Sequence, residues 1–495
     1  MPAQPLDLAV IGNGRTAALL NTQARLVWWC YPRFDGDPVF CRLISGDEEK
    51  GFSDVVLDGF SHSESEYERN TAIVRTTLTS SDGSALRITD FAPRYHNFER
   101  ISRPPQLVRM LEPLSGLPRI TLRFRPAQDY GALSPRGVMG SNHIRYCGPE
   151  DVIRLTTDAP LSYIAHEAPF VLNRPMHMVF GADEPFPTDL PTACRELYER
   201  TRDYWMQWVR RLSLSYDWQD VMIRAAITLK LSNFEETGAI VAAHTTSIPE
   251  SPGSGRTWDY RFCWLRDAYF VVKALNRIGA TRTMEDFISF ILSIASHDKA
   301  DLKPVYGVVP NVDLLEKEAR HLKGFDGHGP VRIGNAASDQ LQHDAYGSVI
   351  LAAMPMFYDR RLPRMADAPI FHLLERLGQK AAELALVPDA GIWEYRGRKR
   401  VHTHSATMCW AGISRIGAIA EHLGFADRAS YWNELADGIQ RTILTRSWNA
   451  QRQAFTAAFD TDDLDASVLL LPELGLIDAK DPRFVASVDA MQREL

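Results

Sequence analysis

The chain has 495 residues, of which 45% are hydrophobic and 24% are charged. At roughly 150 residues per domain this length allows about three domains, and the composition is that of a chain that folds, which excludes disorder and collagen-like sequence. The net charge of -7 comes from 55 Lys and Arg against 62 Asp and Glu, without blocks of like charge. We therefore expect neither a nucleic acid nor a membrane surface as a partner.

The chain start and the cysteines indicate a cellular compartment. The first residues, MPAQPLDLAVIG, have no basic region ahead of an apolar stretch, and the longest apolar runs, such as that around 349–356, are too short to span a bilayer. Six cysteines lie far apart without a CxxC pair, which is atypical of a zinc site or a disulfide scaffold. The sequence predicts a cytoplasmic protein with reduced thiols.

Short apolar or alternating runs rich in Val, Ile and Thr extend from Asp7 to about Phe180 and are separated by turn pairs such as NG and DG. Strands at this spacing predict an antiparallel β-sandwich, which we place at residues 1–185. Within it, GNGRTA at 12–17 fits a dinucleotide-binding fingerprint. The chain between Ala17 and the next apolar run is too short for a crossover helix, so we do not expect a Rossmann domain.

A helical period begins at about Thr188. Its clearest example is a set of apolar residues that share one helix face, Met284, Phe287, Ile288, Ile291 and Ile294. We predict a helical linker at 186–216 and an all-α domain at 217–495.

The predicted helices of this domain include 281–298, 337–354 and 465–476. Tight turns alternate with long connections at 235–264, 299–336 and 387–401, as in a toroid of helical hairpins. The functional rim of such a toroid is built from the long loops.

The first long loop ends in RTWDYRFCWLRDA. Its candidate substrate-binding residues are Trp258, Asp259, Trp264, Arg266 and Asp267. Indole faces stack on sugar rings, and Arg and Asp side chains bond neighbouring hydroxyls in pairs, so the cluster favours sugar binding. Taken alone, Asp267 is equally explained as a helix-capping acid.

The third long loop contains PDAGIWEYRGRKRVHTHSATMCW, with Glu394 directly after Trp393. A Glu packed against an indole has its charged form disfavoured, which raises its pKa and suits it to donate a proton. The alternative is an exposed Glu paired with Arg396. The histidines His321, His328 and His343 fit no metal-ligand spacing, so we expect no metal and no cofactor.

Five motifs occur in a fixed order: IGNGRTAALLN with VWWCYPRFD, WDYRFCWLRDA, PVRIGNAASDQLQHDAYG, PDAGIWEYRG with THSATMCW, and LDASVLLLPELG. Together, over about residues 7–477, they resemble bacterial members of glycoside hydrolase family 15, which contains glucoamylases, glucodextranases and trehalase-like enzymes. The resemblance implies an N-terminal β-sandwich, a helical linker, an (α/α)6 barrel and an inverting mechanism on α-linked glucosides.

The resemblance also implies roles for single residues. Glu394 falls on the general acid, and Arg266 and Asp267 fall on residues that hold the hydroxyls of the nonreducing glucose. The positions implied for the pocket are Trp258, Trp264, Trp393, Tyr306, Arg332, Asn335, Arg396 and His404.

The family's general base is a Glu between its last helices, and this chain ends at Leu495 before such a stretch. We therefore expect an incomplete toroid, whose open seam would lead to a homo-oligomer, to aggregation or to a marginally folded chain. The late carboxylates Asp465 and Glu473 are interpreted as a helix N-cap and a helix-face residue.

The function predicted from these observations is hydrolysis of α-linked glucosides, either α,α-trehalose or α-gluco-oligosaccharides. One alternative is an inverting phosphorylase, in which phosphate replaces water and no base is needed. The other is a sugar-binding protein that lost catalysis with its base.

Overall fold

The computed structural model describes residues 5–46, 49–149, 151–297 and 301–495. The chain divides into two compact units. The first consists of Met1–Phe262, Arg277–Ala280 and Gly307–Asn335, and the second of Cys263–Asn276, Thr281–Tyr306 and Ala336–Leu495.

Strands dominate the N-terminal part of the first unit. They are β1 (Leu8–Gly12), β2 (Ala17–Asn21), β3 (Leu26–Tyr31), β4 (Asp37–Phe40), β5 (Phe52–Leu57), β6 (Phe60–Tyr67), β7 (Val74–Ser80), β8 (Ala85–Phe91), β9 (Tyr95–Asn97), β10 (Arg100–Ser102), β11 (Gln106–Ser115), β12 (Arg119–Arg125), β13 (Arg136–Met139), β14 (His143–Cys147), β15 (Val152–Thr157), β16 (Phe170–Val171) and β17 (Met176–Gly181).

Two antiparallel sheets contain most of these strands. One has the order β1-β2-β3-β5-β12-β16, with β4 added to β3, and the other the order β13-β14-β15-β17-β11-β8-β7-β6. Alternate residues of both sheets bury a common core, in which Trp29 of the first sheet packs on Phe180 of the second with ring centroids 5.8 Å apart. The predicted antiparallel sandwich is thus observed.

The GNGRTA motif forms a hairpin. Gly12 ends β1 and pairs with Ala17 at the start of β2. The side-chain oxygen of Asn13 accepts the backbone N–H groups of Arg15 and Thr16 at 3.0 and 3.1 Å. An Asn that bonds the backbone two residues on is a turn former, so this motif is a turn, as expected.

Helices form most of the remaining secondary structure. They are α1 (Arg42–Ser45), α2 (Leu161–Ala165), α3 (Leu190–Val209), α4 (Gln219–Leu231), α5 (Leu265–Arg277), α6 (Thr281–His297), α7 (Asp344–Ala353), α8 (Ala368–Leu384), α9 (Thr403–His422), α10 (Ala426–Arg446), α11 (Leu471–Leu474) and α12 (Pro482–Glu494). Three 3₁₀ helices lie at Ala336–Asp339, Met354–Phe357 and Ala466–Leu470. Two-stranded pairs join Asn233–Phe234 to Ala239–Ile240, Cys263–Trp264 to Val305–Tyr306, Lys317–Glu318 to Arg332–Ile333, and Trp448–Asn449 to Ala454–Phe455.

The structure corrects two predicted helices and adds one that was not predicted. The predicted helix 337–354 is a 3₁₀ turn followed by α7, which begins only at Asp344. The predicted helix 465–476 is a 3₁₀ helix continued by α11. Helix α12 was not predicted, although it begins after an Asp481 N-cap with Pro482 in its first turn, a standard start signal. The predicted end of α6 at residue 298 lies outside the described residues.

All six cysteines are unbridged. Among the helices of the described residues, none combines the length and the apolarity needed to cross a membrane.

Helix α9 packs against α7, α8 and α10, and its contact with α7 depends on glycine. A Cβ on Gly347 would lie 2.0 Å from the backbone oxygen of Met408. We expect Gly347→Ala to lower the free energy of unfolding by about 1–3 kcal/mol, because neither backbone can give way easily. Urea unfolding followed by circular dichroism measures this change.

Gly438 in α10 is the matched control. A Cβ there would meet no atom within 4 Å, so Gly438→Ala should raise the free energy of unfolding by roughly 0.5–1 kcal/mol through helix propensity. A Gly347→Ala variant as stable as the wild type would show that the two helices separate freely.

Candidate active site

The loop between α8 and α9 carries Glu394. Its two arms meet at an antiparallel bridge between Asp389 and Arg400. At its tip, the N–H of Glu394 donates to the carbonyl of Gly391, and the N–H of Tyr395 to that of Ala390, both at 3.1 Å. Glu394 has φ = 55°, a left-handed conformation that a residue with a side chain adopts only at a cost in free energy.

Three donors converge on one oxygen of the Glu394 carboxyl group. Oε1 accepts from Trp264 Nε1 at 2.5 Å, and from Arg266 Nη2 and Gln342 Nε2 at 3.2 Å each. Oε2 makes no hydrogen bond within the described part of the chain, and the side chain is 18% exposed. An oxygen that accepts three donors has no room for a proton, so a protonated Glu394 carries its proton on Oε2.

Arg266 is nearly buried and is fixed from several sides. Nη1 donates to Gln342 Oε1 at 2.9 Å and lies 3.4 Å from Asp344 Oδ2. Burial, which lowers the pKa of Arg266, is outweighed by the carboxylates around it, so the net pKa is raised. Arg266 is therefore a permanent cation beside Glu394.

Asp267 follows Arg266 in the first turn of α5, with a half-exposed side chain 3.7 Å from the Arg266 Nε atom. Loss of hydration raises the pKa of Asp267, Arg266 lowers it and Glu394 raises it, with a net increase. Asp267 thus presents a carboxyl group near Glu394 while its side chain stays accessible to solvent.

The side chain of Trp393 differs in placement from the sequence expectation. The indole that bonds Glu394 belongs to Trp264, which is buried, whereas Trp393 is 49% exposed and donates its N–H to Asp465 Oδ2 at 2.6 Å. The other oxygen of Asp465 accepts the N–H of Ser467 at 2.8 Å and caps the 3₁₀ helix Ala466–Leu470. The N-cap interpretation of Asp465 is confirmed.

The other predicted site residues in the second unit are Tyr306, Arg396 and His404. Tyr306 pairs through its backbone with Cys263, next to Trp264. Arg396 is exposed and lines a cavity of about 260 Å³ beside the loop. His404 is 2% exposed, and burial lowers its pKa to about 4, so it is neutral at physiological pH.

Four further predicted residues, Trp258, Asp259, Arg332 and Asn335, lie in the first unit. Asp259 is fully buried and accepts both Nε and Nη2 of Arg261, at 2.9 and 2.8 Å. Asn335 donates to the Asp259 carbonyl at 3.1 Å, and Arg332 lies over the Trp258 ring at 4.3 Å. Asp259 and Asn335 are engaged in holding these segments together.

Asp389 is a buried carboxyl group in the loop between α8 and α9, which also carries Glu394. Its Oδ2 accepts the N–H of His343 at 3.0 Å and the hydroxyl of Ser405 at 2.8 Å. Burial is the largest effect and raises the pKa of Asp389 to about 7. The folded protein therefore retains a proton that the unfolded chain releases above about pH 4.

This proton makes stability depend on pH. Between about pH 4 and 7 the folded state binds more protons than the unfolded state, so the contribution of Asp389 to stability falls as pH rises. Asn is uncharged at every pH. We therefore expect the free energy of unfolding of Asp389→Asn to rise, relative to that of the wild type, by about 2–3 kcal/mol as the pH is raised from 5 to 8. Denaturant unfolding at both pH values measures this change. The same pH dependence of the free energy of unfolding in the wild type and in Asp389→Asn would contradict the prediction.

Gln340, Gln342 and Asp344 were not among the predicted site residues. All three lie in the stretch PVRIGNAASDQLQHDAYG, but they were placed within a helix. Gln342 bridges Arg266 and Glu394, and Gln340 Nε2 donates to the Glu394 carbonyl at 3.2 Å. A run of polar residues directly before an apolar helix was the available signal.

Comparison with known proteins identifies the family. The model "Glycosyl hydrolases family 15" matches residues 217–495, and the model "Trehalase-like, N-terminal" matches residues 2–166. These matches make the protein an O-glycosyl hydrolase. Since the first match covers more than half of the chain, the chain belongs to glycosyl hydrolases family 15.

The curated relatives include trehalases. The trehalase of Thermoplasma acidophilum is 30% identical over 94% of this chain and 80% of its own length. That of Mycobacterium tuberculosis is also 30% identical, over 100% of this chain and 76% of its own length. Hydrolysis of α-glucosides, as predicted from the sequence, is confirmed, and no comparison favours a phosphorylase or a catalytically inactive protein.

A solved structure confirms the fold class. A bacterial glucoamylase complexed with acarbose superposes with a TM-score of 0.68 at 14% identity, covering 100% of this chain and 78% of the glucoamylase chain. An antiparallel β-domain followed by a glucoamylase-like helical domain is therefore confirmed. The incomplete toroid remains a prediction.

Proposed function

We propose that the protein hydrolyses α,α-trehalose with inversion, and that Glu394 is the proton donor. The observation that carries this proposal is the loading of Oε1 by three donors, which leaves Oε2 to hold a proton and present it to the glycosidic oxygen. General acids of this kind protonate the leaving oxygen while water attacks the anomeric carbon from the opposite face. The named relatives, trehalases aligned with 94–100% of the chain, support the choice of substrate.

Arg266 and Asp267 have proposed roles in binding. Arg266 is a fixed cation adjacent to the acid, and Asp267 is its half-exposed neighbour, so the two can bond neighbouring hydroxyls of one glucose ring. Trp264 and Gln342 orient the acid. For Trp258, Tyr306, Arg332, Trp393, Arg396 and His404 we keep the sequence-based proposal that they belong to the substrate pocket or its support.

The water must be activated by a second carboxylate about 6.5–9.5 Å from the first. Asp465 uses both oxygens as acceptors, and Glu473 is paired with Lys273. These contacts support the structural interpretation of both residues. We therefore propose that neither is the base.

Product analysis by NMR tests the function. Inverting hydrolysis of α,α-trehalose releases one β-glucose and one α-glucose, in equal amounts before mutarotation. A phosphorylase would instead form β-glucose 1-phosphate and depend on added phosphate. Binding without any product would support the inactive sugar-binding protein, and preferential cleavage of maltose or isomaltose would refute the choice of substrate.

We also propose the domain division 1–185, 186–216 and 217–495, and a cytoplasmic location. The six unbridged cysteines support the location, since thiols persist in a reducing compartment.

A further inference from the structure

We propose that Asp465 is a positioning residue for the acid: by holding the indole of Trp393, it fixes the loop tip on which Glu394 stands. The inference rests on the proposed role of Glu394 as proton donor. Its basis is the bond of 2.6 Å from Trp393 Nε1 to Asp465 Oδ2, which joins residues 72 positions apart in sequence.

The carboxylate of Asp465 serves two segments at once. Oδ1 accepts the N–H of Ser467 and caps the 3₁₀ helix, which leaves Oδ2 for Trp393. The cap fixes the orientation of the carboxylate plane, because both oxygens have partners. A hydrogen bond to an ionised acceptor is stronger than one between neutral groups, so Asp465 provides a firm anchor.

Trp393 needs such an anchor. About half of its surface, 49%, is exposed, so packing alone does not define the orientation of its ring. Glu394, the next residue, is left-handed with φ = 55°, and such conformations persist only where surrounding contacts impose them. The indole bond restrains the loop tip from the residue directly before the acid.

The segment 457–465 also contacts the same loop at the end that leads into α9. The N–H of Phe459 donates to the Val401 carbonyl at 3.0 Å, and Arg400 Nη1 donates to Asp463 Oδ2 at 2.7 Å. These bonds join the end of the loop that leads into α9. The Asp465 bond joins this segment to the loop tip, where Glu394 lies.

Asp465→Asn is the informative variant. Asn caps helices as well as Asp does, so the bond from Ser467 persists, while an amide NH₂ in place of Oδ2 cannot accept from Trp393. We expect kcat on α,α-trehalose to fall about tenfold, because a small displacement of a reacting group has a large effect on rate. On α-glucosyl fluoride, whose fluoride leaves without a proton, kcat should change less than about threefold.

Asp481→Asn is the matched control. Asp481 is also an N-cap, accepting the N–H of Arg483 at 2.9 Å at the start of α12. It should keep wild-type kinetics on both substrates. Each variant retains its cap and weakens one further contact, that of Asp465 with Trp393 or that of Asp481 with the Arg483 guanidinium, so melting temperatures show whether either variant is generally destabilised.

Trp393→Phe tests the same bond from the other side and leaves the Asp465 cap in place. We expect the same loss on trehalose, and a double variant with Asp465→Asn that is no worse than Trp393→Phe alone, since both changes break one interaction. The indole N–H signal of Trp393 in a ¹⁵N-tryptophan NMR spectrum, identified by its absence in Trp393→Phe, should move upfield in Asp465→Asn.

The outcomes separate the two proposals. If Glu394→Gln keeps full activity, the proposed function of Glu394 fails. If Glu394→Gln is inactive but Asp465→Asn matches Asp481→Asn in kinetics and leaves the Trp393 signal unmoved, only the positioning role is overturned. Equal losses on trehalose and on the fluoride would also overturn it, because they would indicate general damage to the pocket.

Discussion

Replacing Glu394 by Gln is expected to lower kcat on α,α-trehalose by about 10²–10⁴-fold while substrate binding persists. The amide oxygen of Gln can take the place of Oε1 and accept from Trp264 and Arg266, so the shape of the site is kept. The amide nitrogen takes the place of Oε2 and cannot supply an acidic proton. Steady-state kinetics and calorimetric binding measure the two effects separately.

Glu473→Gln is the control for this experiment. Glu473 is paired with Lys273 on an exposed surface of α11, so its substitution should leave kcat unchanged. On α-glucosyl fluoride the defect of Glu394→Gln should be much smaller than on trehalose, because this leaving group needs no proton. Full activity of Glu394→Gln on trehalose would eliminate it as the acid.

Asp267→Asn should reduce kcat/KM on trehalose by more than tenfold. A half-exposed carboxylate beside a fixed Arg can accept hydroxyl hydrogen bonds that an amide matches only in part. Leaving a buried polar partner unmatched in the complex costs about 2–5 kcal/mol. For the wild type, kcat/KM on a trehalose analogue that lacks the matching hydroxyl should be lower than on trehalose by a similar factor. For Asp267→Asn, kcat/KM on the analogue should be little lower than on trehalose.

The capping interpretation of Asp267 makes a different prediction. If this residue only stabilises the first turn of α5, then Asp267→Asn lowers the melting temperature and leaves kcat/KM intact. Asp220, in the first turn of α4 and 73% exposed, is the matched control. Asp220→Asn reports the effect of a first-turn charge on stability alone.

The β-sandwich was predictable because alternation and turn residues are local signals. Strands such as β7 alternate strictly between buried and half-buried residues. The turn at Asn13 is formed by the side chain of Asn13 itself, which bonds the backbone two residues on. The start of α7 was not predictable in this way. The apolar periodicity continues back to Ala337. In the structure, however, the Gln342 side chain donates to Glu394, and the N–H of His343 donates to Asp389 instead of to a helical carbonyl.

The partner of the acid could not be read from neighbouring residues. The sequence places Trp393 beside Glu394, yet the bonding indole is Trp264, 130 positions earlier. Across the left-handed turn at Glu394 the two consecutive side chains have different partners, Asp465 for Trp393 and Trp264 for Glu394, and both partners are distant in sequence. Family resemblance located Glu394, whereas its environment required the structure.

The three hydrogen bonds on Oε1 have a spectroscopic consequence. In the protonated acid, Oε1 becomes the carbonyl oxygen, and each donor draws electron density from the C=O bond and weakens it. The carbonyl stretching vibration of Glu394 should therefore lie at lower frequency than that of a glutamic acid with fewer hydrogen-bond donors. Its band, absent from Glu394→Gln, would let difference infrared spectroscopy follow the proton on Glu394 itself rather than the products.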